Sequence, residues 1–109
     1  MLVAFSVAPS GSSEIRRENE DASVHDAVAA AVRVVRDSGL PHQTDSMFTT
    51  IEGEWDEVMA VIKAATDTAG KYGSRVSLVL KADIRPGHSG ELTGKVERLN
   101  RALESPERS

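Results

Sequence analysis

The sequence predicts an α+β fold in which one antiparallel sheet carries two helices on a single face. Three observations predict it. Two stretches, LVAFSVA near the start and RVSLVLKAD at 75–83, alternate their side chains with a period of two. Two others carry apolar residues at steps of three and four, and short β-type runs stand between them. The order that results is βαββαβ with a trailing helix, and connectivity rules fold it most easily into a four-stranded ferredoxin-like sandwich of strand order 4-1-3-2.

Each element has its own justification. From Leu2 to Ala8, Val3, Phe5 and Val7 interleave with Leu2, Ala4, Ser6 and Ala8, and Pro9 ends the strand. Ser10 to Ala22 (SGSSEIRRENEDA) is charged and reads as a flexible loop. Ser23 opens a helix, since its hydroxyl can cap free amides while Asp26 suits the positive end of the helix dipole. Val24, Ala27, Val28, Ala31, Val32 and Val35 mark its buried face, and Gly39 and Pro41 stop it. His42–Thr44 and Phe48–Gly53 then form a hairpin around Asp45, Ser46 and Met47.

A second helix is expected from about Glu54 to Tyr72, with Trp55, Val58, Met59, Ile62, Ala65 and Ala69 on one stripe and Gly70 and Gly73 closing it. Glu54, Asp56 and Glu57 fall where the dipole favours anions. Arg75–Asp83 is the fourth strand. A Gly/Pro-rich loop, Arg85 to Gly90, leads to a last helix whose stripe of Leu92, Val96, Leu99 and Leu103 is narrow, the pattern of docking on another surface. The chain is expected to be one domain, 1–109, with 10–22 a flexible loop and 104–109 a frayed tail.

Composition excludes several functions. With 109 residues and 39% hydrophobic content the chain builds one thin core, and aromatics at 4% leave few stacking platforms for bases. Absence of cysteine removes disulfides, thiolate metal sites and Cys nucleophiles. A net charge of -4 disfavours phosphate backbones and anionic lipids, so neither nucleic acid nor membrane is an expected partner. The start MLVAFSVAPSG lacks a signal peptide's basic region and reads as a strand, which places the protein in the cytoplasm. His25, His42 and His88 have no metal-ligand spacing, and neither a nucleophile elbow nor a phosphate loop is present. No metal, cofactor or catalytic residue is expected.

The informative surface is the sheet face without helices. If Val3, Phe5, Val7, Thr49, Ile51, Val76, Leu78 and Leu80 face the helices, parity sends Ala4, Ser6, Phe48, Thr50, Glu52, Ser77 and Val79 to the other side. Three neighbouring strands then present Ser6, Thr50 and Ser77, with Glu52 at the rim. Hydroxyls buried there by a second subunit need partners. In TTIEGEWDEVM, the glycine, the helix-end acids and the tryptophan have structural explanations: a turn, a dipole and a plug for the sheet-helix junction. Thr50 and Glu52 have no such explanation.

The segments LVAFSVAP, G-L-P before the hairpin, TTIEGEWDEVM, RVSLVLKADIR and GKVERL together resemble the thiamine-binding protein family over nearly the whole chain. The most specific part is the T-x-x-E-G-E-aromatic-acid-E-hydrophobic run, Thr49 to Val58. The resemblance implies a ferredoxin-like subunit that assembles through its sheets into dimers and tetramers and binds thiamine or its hydroxymethylpyrimidine moiety near subunit interfaces. An aminopyrimidine needs an acceptor for its amine, a carboxylate for a ring nitrogen and an apolar wall. By residue type and parity, Glu52 would be the carboxylate, Thr50, Ser6 and Ser77 the hydroxyls, and Phe48 or Met47 the wall.

Two other classes fit the same residues. The free face would be only an oligomer interface in a regulatory or interaction module that leaves no cavity after assembly. An enzyme would use Glu52 as general base on a small cation or heterocycle, which requires a raised pKa.

Overall fold

A computed structural model describes residues 1–11 and 20–104, with side chains of the first helix described from residue 25 onward. The elements are β1 (Leu2–Ser10), α1 (Glu20–Asp37), β2 (His42–Thr44), β3 (Thr49–Glu52), α2 (Trp55–Ala69) with a 3₁₀ turn (Gly70–Tyr72), β4 (Arg75–Asp83) and α3 (Glu91–Leu103). The sheet is antiparallel throughout, in the order β2-β3-β1-β4, the predicted order read from the opposite edge.

Parity governs the core. Val3 pairs with Ile51 and Ala82, and Phe5 with Thr49 and Leu80, so these residues share the face beneath the helices. Ala27, Ala31 and Val35 of α1 and Val58, Ile62, Ala65 and Ala69 of α2 are buried. Alanine at the helix contacts lets both axes approach closely. Val3, Val35, Ile51, Val58 and Ile62 are the largest fully enclosed side chains, each contributing roughly 1.5–3 kcal/mol by leaving water.

β1 and β4 pair over their full length, but β3 reaches only as far as Phe5. Among the described residues, β1 from Ser6 to Ser10 therefore has a strand on one side and none on the other. That open edge explains why β1 runs through Pro9, which pairs with Val76 instead of ending the strand as the sequence reading expected. β4 lies at the rim of the sheet, and the helices cover it incompletely, so Leu78 and Leu80 keep the helix-side orientation while staying partly exposed.

Four further expectations are corrected. Helix α1 begins at Glu20, ahead of Ser23, and Ser10 belongs to β1, so both ends of the expected 10–22 loop are ordered elements; 12–19 and 105–109 lie outside the described residues. Trp55 is 54% exposed and plugs nothing, because α2 starts where β1 begins and β3 ends, at the margin of the sheet. Val28 is 44% exposed because it overlies the open edge of β1. Phe48 lies in the hairpin loop ahead of β3, where strand parity does not fix its direction. Among the described residues no helix is long and apolar enough to cross a membrane.

Candidate functional site

The residues singled out on the free face divide into three groups. Ser6 pairs with Val79, Thr50 with Ala4, and Ser77 with Ala8, so all three do share the helix-free side. They lie on a diagonal, however. Along β1, the partners of Thr50 and Ser77 are Ala4 and Ala8, which with two strand spacings separates the outer pair by roughly 16 Å. One ring-sized molecule cannot touch both. Ser6, in the middle, is within diagonal reach of either.

Glu52 forms the second group. It is only 7% exposed, and its carboxylate accepts the backbone N–H of Glu91 (2.8 Å) and of Leu92 (3.2 Å). These are the first amides of α3, whose N-cap Gly90, at φ +70°, has no side chain to supply an acceptor. A carboxylate from β3 caps the helix in its place, at the dipole's positive end. The sequence placed Glu52 on the correct face but did not disclose this partner, because nothing local connects Glu52 with Glu91.

Ser6, Met47 and Phe48 make the third group: they line one cleft of about 170 Å³ at the open edge of β1. Its floor is Phe5 and Val7, and its walls are Val28, Ala31 and Val32 of α1 and the hairpin loop between β2 and β3. Three hydrogen bonds close the loop. The Asp45 carboxylate accepts the backbone N–H groups of Met47 (2.8 Å) and Phe48 (2.9 Å), while the Asp45 amide donates to the Phe48 carbonyl (2.9 Å). These amides hold the Asp45 carboxyl below its ordinary pKa, that of Phe48 contributing most. At the loop base the hydroxyls of Thr44 and Thr49 share a hydrogen bond of 3.0 Å.

Chemically the cleft offers an apolar slot, an exposed methionine at its lip, the open backbone edge of β1 at Ser6 and one ionised carboxylate whose Oδ1 is engaged, while the Ser6 hydroxyl lies on the opposite face of the sheet. That is a slot for a small, mainly apolar ring with polar substituents. Sequence reasoning missed Asp45 and Val28. The Asp45-Ser46-Met47 spacing of a side-chain-closed turn was a usable signal for the first; the early end of β3 left none for the second.

Fold and cleft together define a ferredoxin-like α+β domain with an apolar cleft at an open strand edge. A family model described as "Thiamine-binding protein" matches residues 3–100. UPF0045 protein Mb1933 of Mycobacterium bovis is 49% identical over 108 residues, covering 98% of both chains. UPF0045 protein sll0230 of Synechocystis is 32% identical over 84 residues, which is 76% of this chain and 69% of its own. A solved domain of unknown function DUF77 from Bacillus cereus superposes with a TM-score of 0.72 at 30% identity, covering 87% of this chain and 85% of that one. A candidate thiamine biosynthesis/salvage protein from Thermotoga maritima shares the fold, with a TM-score of 0.68 at 23% identity over 88% of this chain and 96% of its own. The chain belongs to the thiamine-binding protein family.

Proposed function

We propose that this protein binds thiamine or its hydroxymethylpyrimidine moiety as a homo-oligomer, with the pyrimidine seated in the cleft at the edge of β1. The observation that carries the reading is the convergence of Ser6, Met47 and Phe48 on one apolar slot beside the Asp45 carboxylate. Phe48 and Met47 supply the wall, the open backbone edge of β1 at Ser6 a polar contact, and Asp45 an acceptor for the exocyclic amine. Thr50 and Ser77 serve from the flanking sheet face, against a neighbouring subunit. Glu52 contributes by fixing α3 and not by touching the ring.

The slot, at about 170 Å³, is smaller than the roughly 300 Å³ at which ligand pockets ordinarily begin. A half-molecule fits it, and whole thiamine needs a second subunit to complete it. Surface for that contact is plentiful. Val79 on the free face and Val96, Leu99 and Leu103 on α3 are all exposed, and among the described residues the outer edge of β4 has no strand beside it. Dimers, and dimers of dimers, follow from two such surfaces.

Calorimetric titration tests the proposal. Hydroxymethylpyrimidine and thiamine are expected to bind, and Phe48→Ala and Met47→Ala are expected to weaken binding about tenfold or more, the equivalent of about 1.4 kcal/mol. Equal heats from the parent and both variants would remove the cleft from the account.

A further inference from the structure

A second cleft, of about 190 Å³, lies beyond the start of β1. Trp55, Ile84 and Pro86 form its apolar walls, and Glu54, Arg85 and His88 its polar positions. The chain has one tryptophan, and it stands here 54% exposed beside Ile84 at 58%. An indole serves as a flat platform for a ring, by stacking as well as by area.

The charges around the cleft are unequally satisfied. Lys95 is bound to Asp83, and Arg98 donates to Glu91 Oε2 at 2.5 Å. Arg85 and His88 approach the other oxygen of Glu91 only at 3.9 and 4.0 Å, beyond hydrogen-bond reach. Glu91 is thus already committed to Arg98, and Arg85 is left with a loose contact and most of its donors free. Lys95 and Arg98 balance Asp83 and Glu91, which leaves the Arg85 guanidinium and the Met1 ammonium against the single Glu54 carboxylate on the cleft lining. A guanidinium with open donors is matched to an oxyanion, and a phosphate can accept from it and from an imidazole together.

We propose that this cleft binds a phosphorylated planar heterocycle, its ring against Trp55 and its phosphate on Arg85 and His88. Glu54 then accepts from an exocyclic amine on the ring. This cleft shares no residue with the one at the β1 edge, and a ligand here is independent of thiamine binding there.

Quenching of Trp55 fluorescence reports binding directly, with adenosine monophosphate, adenosine and inorganic phosphate as probes. Adenosine monophosphate is expected to quench saturably, at least about tenfold more tightly than either adenosine or phosphate alone, as a charge-assisted contact added to stacking requires. Arg85→Gln should abolish the advantage over adenosine without moving the melting temperature, and Trp55→Phe, followed by calorimetry, should weaken binding of both adenosine and its monophosphate. Equal affinity for adenosine and its monophosphate, equal affinity for phosphate alone, or no saturable response would each overturn the proposal. So would an emission that blue-shifts with protein concentration and ignores all three probes, since a second copy would then be covering the indole.

Discussion

Glu52 Oε2 accepts the backbone N–H of Glu91 at 2.8 Å across 39 positions of sequence, and this bond holds the first turn of α3 to the sheet. Beyond that turn, Val96, Leu99 and Leu103 are exposed, the last at 74%. Lys95–Asp83 adds an exposed ion pair, a weak tie in water. The direction of α3 therefore depends chiefly on one buried carboxylate. Glu52→Ala is expected to cost about 1–3 kcal/mol by orphaning two amides. Hydrogen exchange should lose protection in α3 first and leave Ile51 and Ile62 protected. Uniform loss over the whole chain would contradict a local role.

Removing apolar atoms should distinguish core from interface. Ile62→Ala is expected to destabilise by about 2–5 kcal/mol, since its side chain is fully enclosed. Leu99→Ser should leave the unfolding free energy of the isolated subunit within about 0.5 kcal/mol while shifting assembly toward smaller species in light scattering. A Leu99→Ser protein with unchanged mass at every concentration would exclude that stripe from the interface.

Glycine at position 73 is required by proximity. A Cβ there would sit 2.4 Å from the Ser10 carbonyl oxygen and 2.9 Å from its nitrogen, both backbone atoms that cannot swing aside. Gly73→Ala should cost about 1–3 kcal/mol by prising β1 from the turn before β4. Gly39, in open space at φ +77°, should cost about 1–2 kcal/mol on replacement by Ala, for conformational reasons alone. Chemical denaturation compares the two; a silent Gly73→Ala would mean the 3₁₀ turn shifts freely.

The hairpin loop should depend on acid. Asp45's carboxyl is depressed below its ordinary 3.8 by the amides of Phe48 and Met47. A group with a lowered folded pKa contributes stability that is present above the unfolded value and is lost as pH falls through the folded one. The loop, and ligand binding with it, should therefore be insensitive to pH above about 4–5 and loosen only below 3.8. An NMR titration of Asp45 with a midpoint at or above 3.8 would contradict this.

What the sequence disclosed and withheld follows from the range of the interactions. Period-two alternation placed Val3, Phe5, Ile51 and Leu80 under the helices and Ser6, Thr50 and Ser77 opposite, because parity is a local property. Registry is not local. Where Thr50 and Ser77 fall along β1 depends on strand offsets that no pattern in either strand states, so a shared face was legible and its diagonal layout was not. Trp55 fits the α2 stripe in spacing, yet the stripe cannot say where the sheet beneath it stops. Glu52 was recognisable as a carboxylate without a local partner. Its partner is the side-chainless Gly90 end of a helix 39 residues on, a tertiary fact.

The most direct test of the central claim is a map of amide shifts in the labelled protein as hydroxymethylpyrimidine is added. Saturable changes concentrated at Ser6, Val7, Met47 and Phe48 are the expected result. Changes confined to other parts of the fold, or none at millimolar ligand, would contradict a pyrimidine site at the open edge of β1.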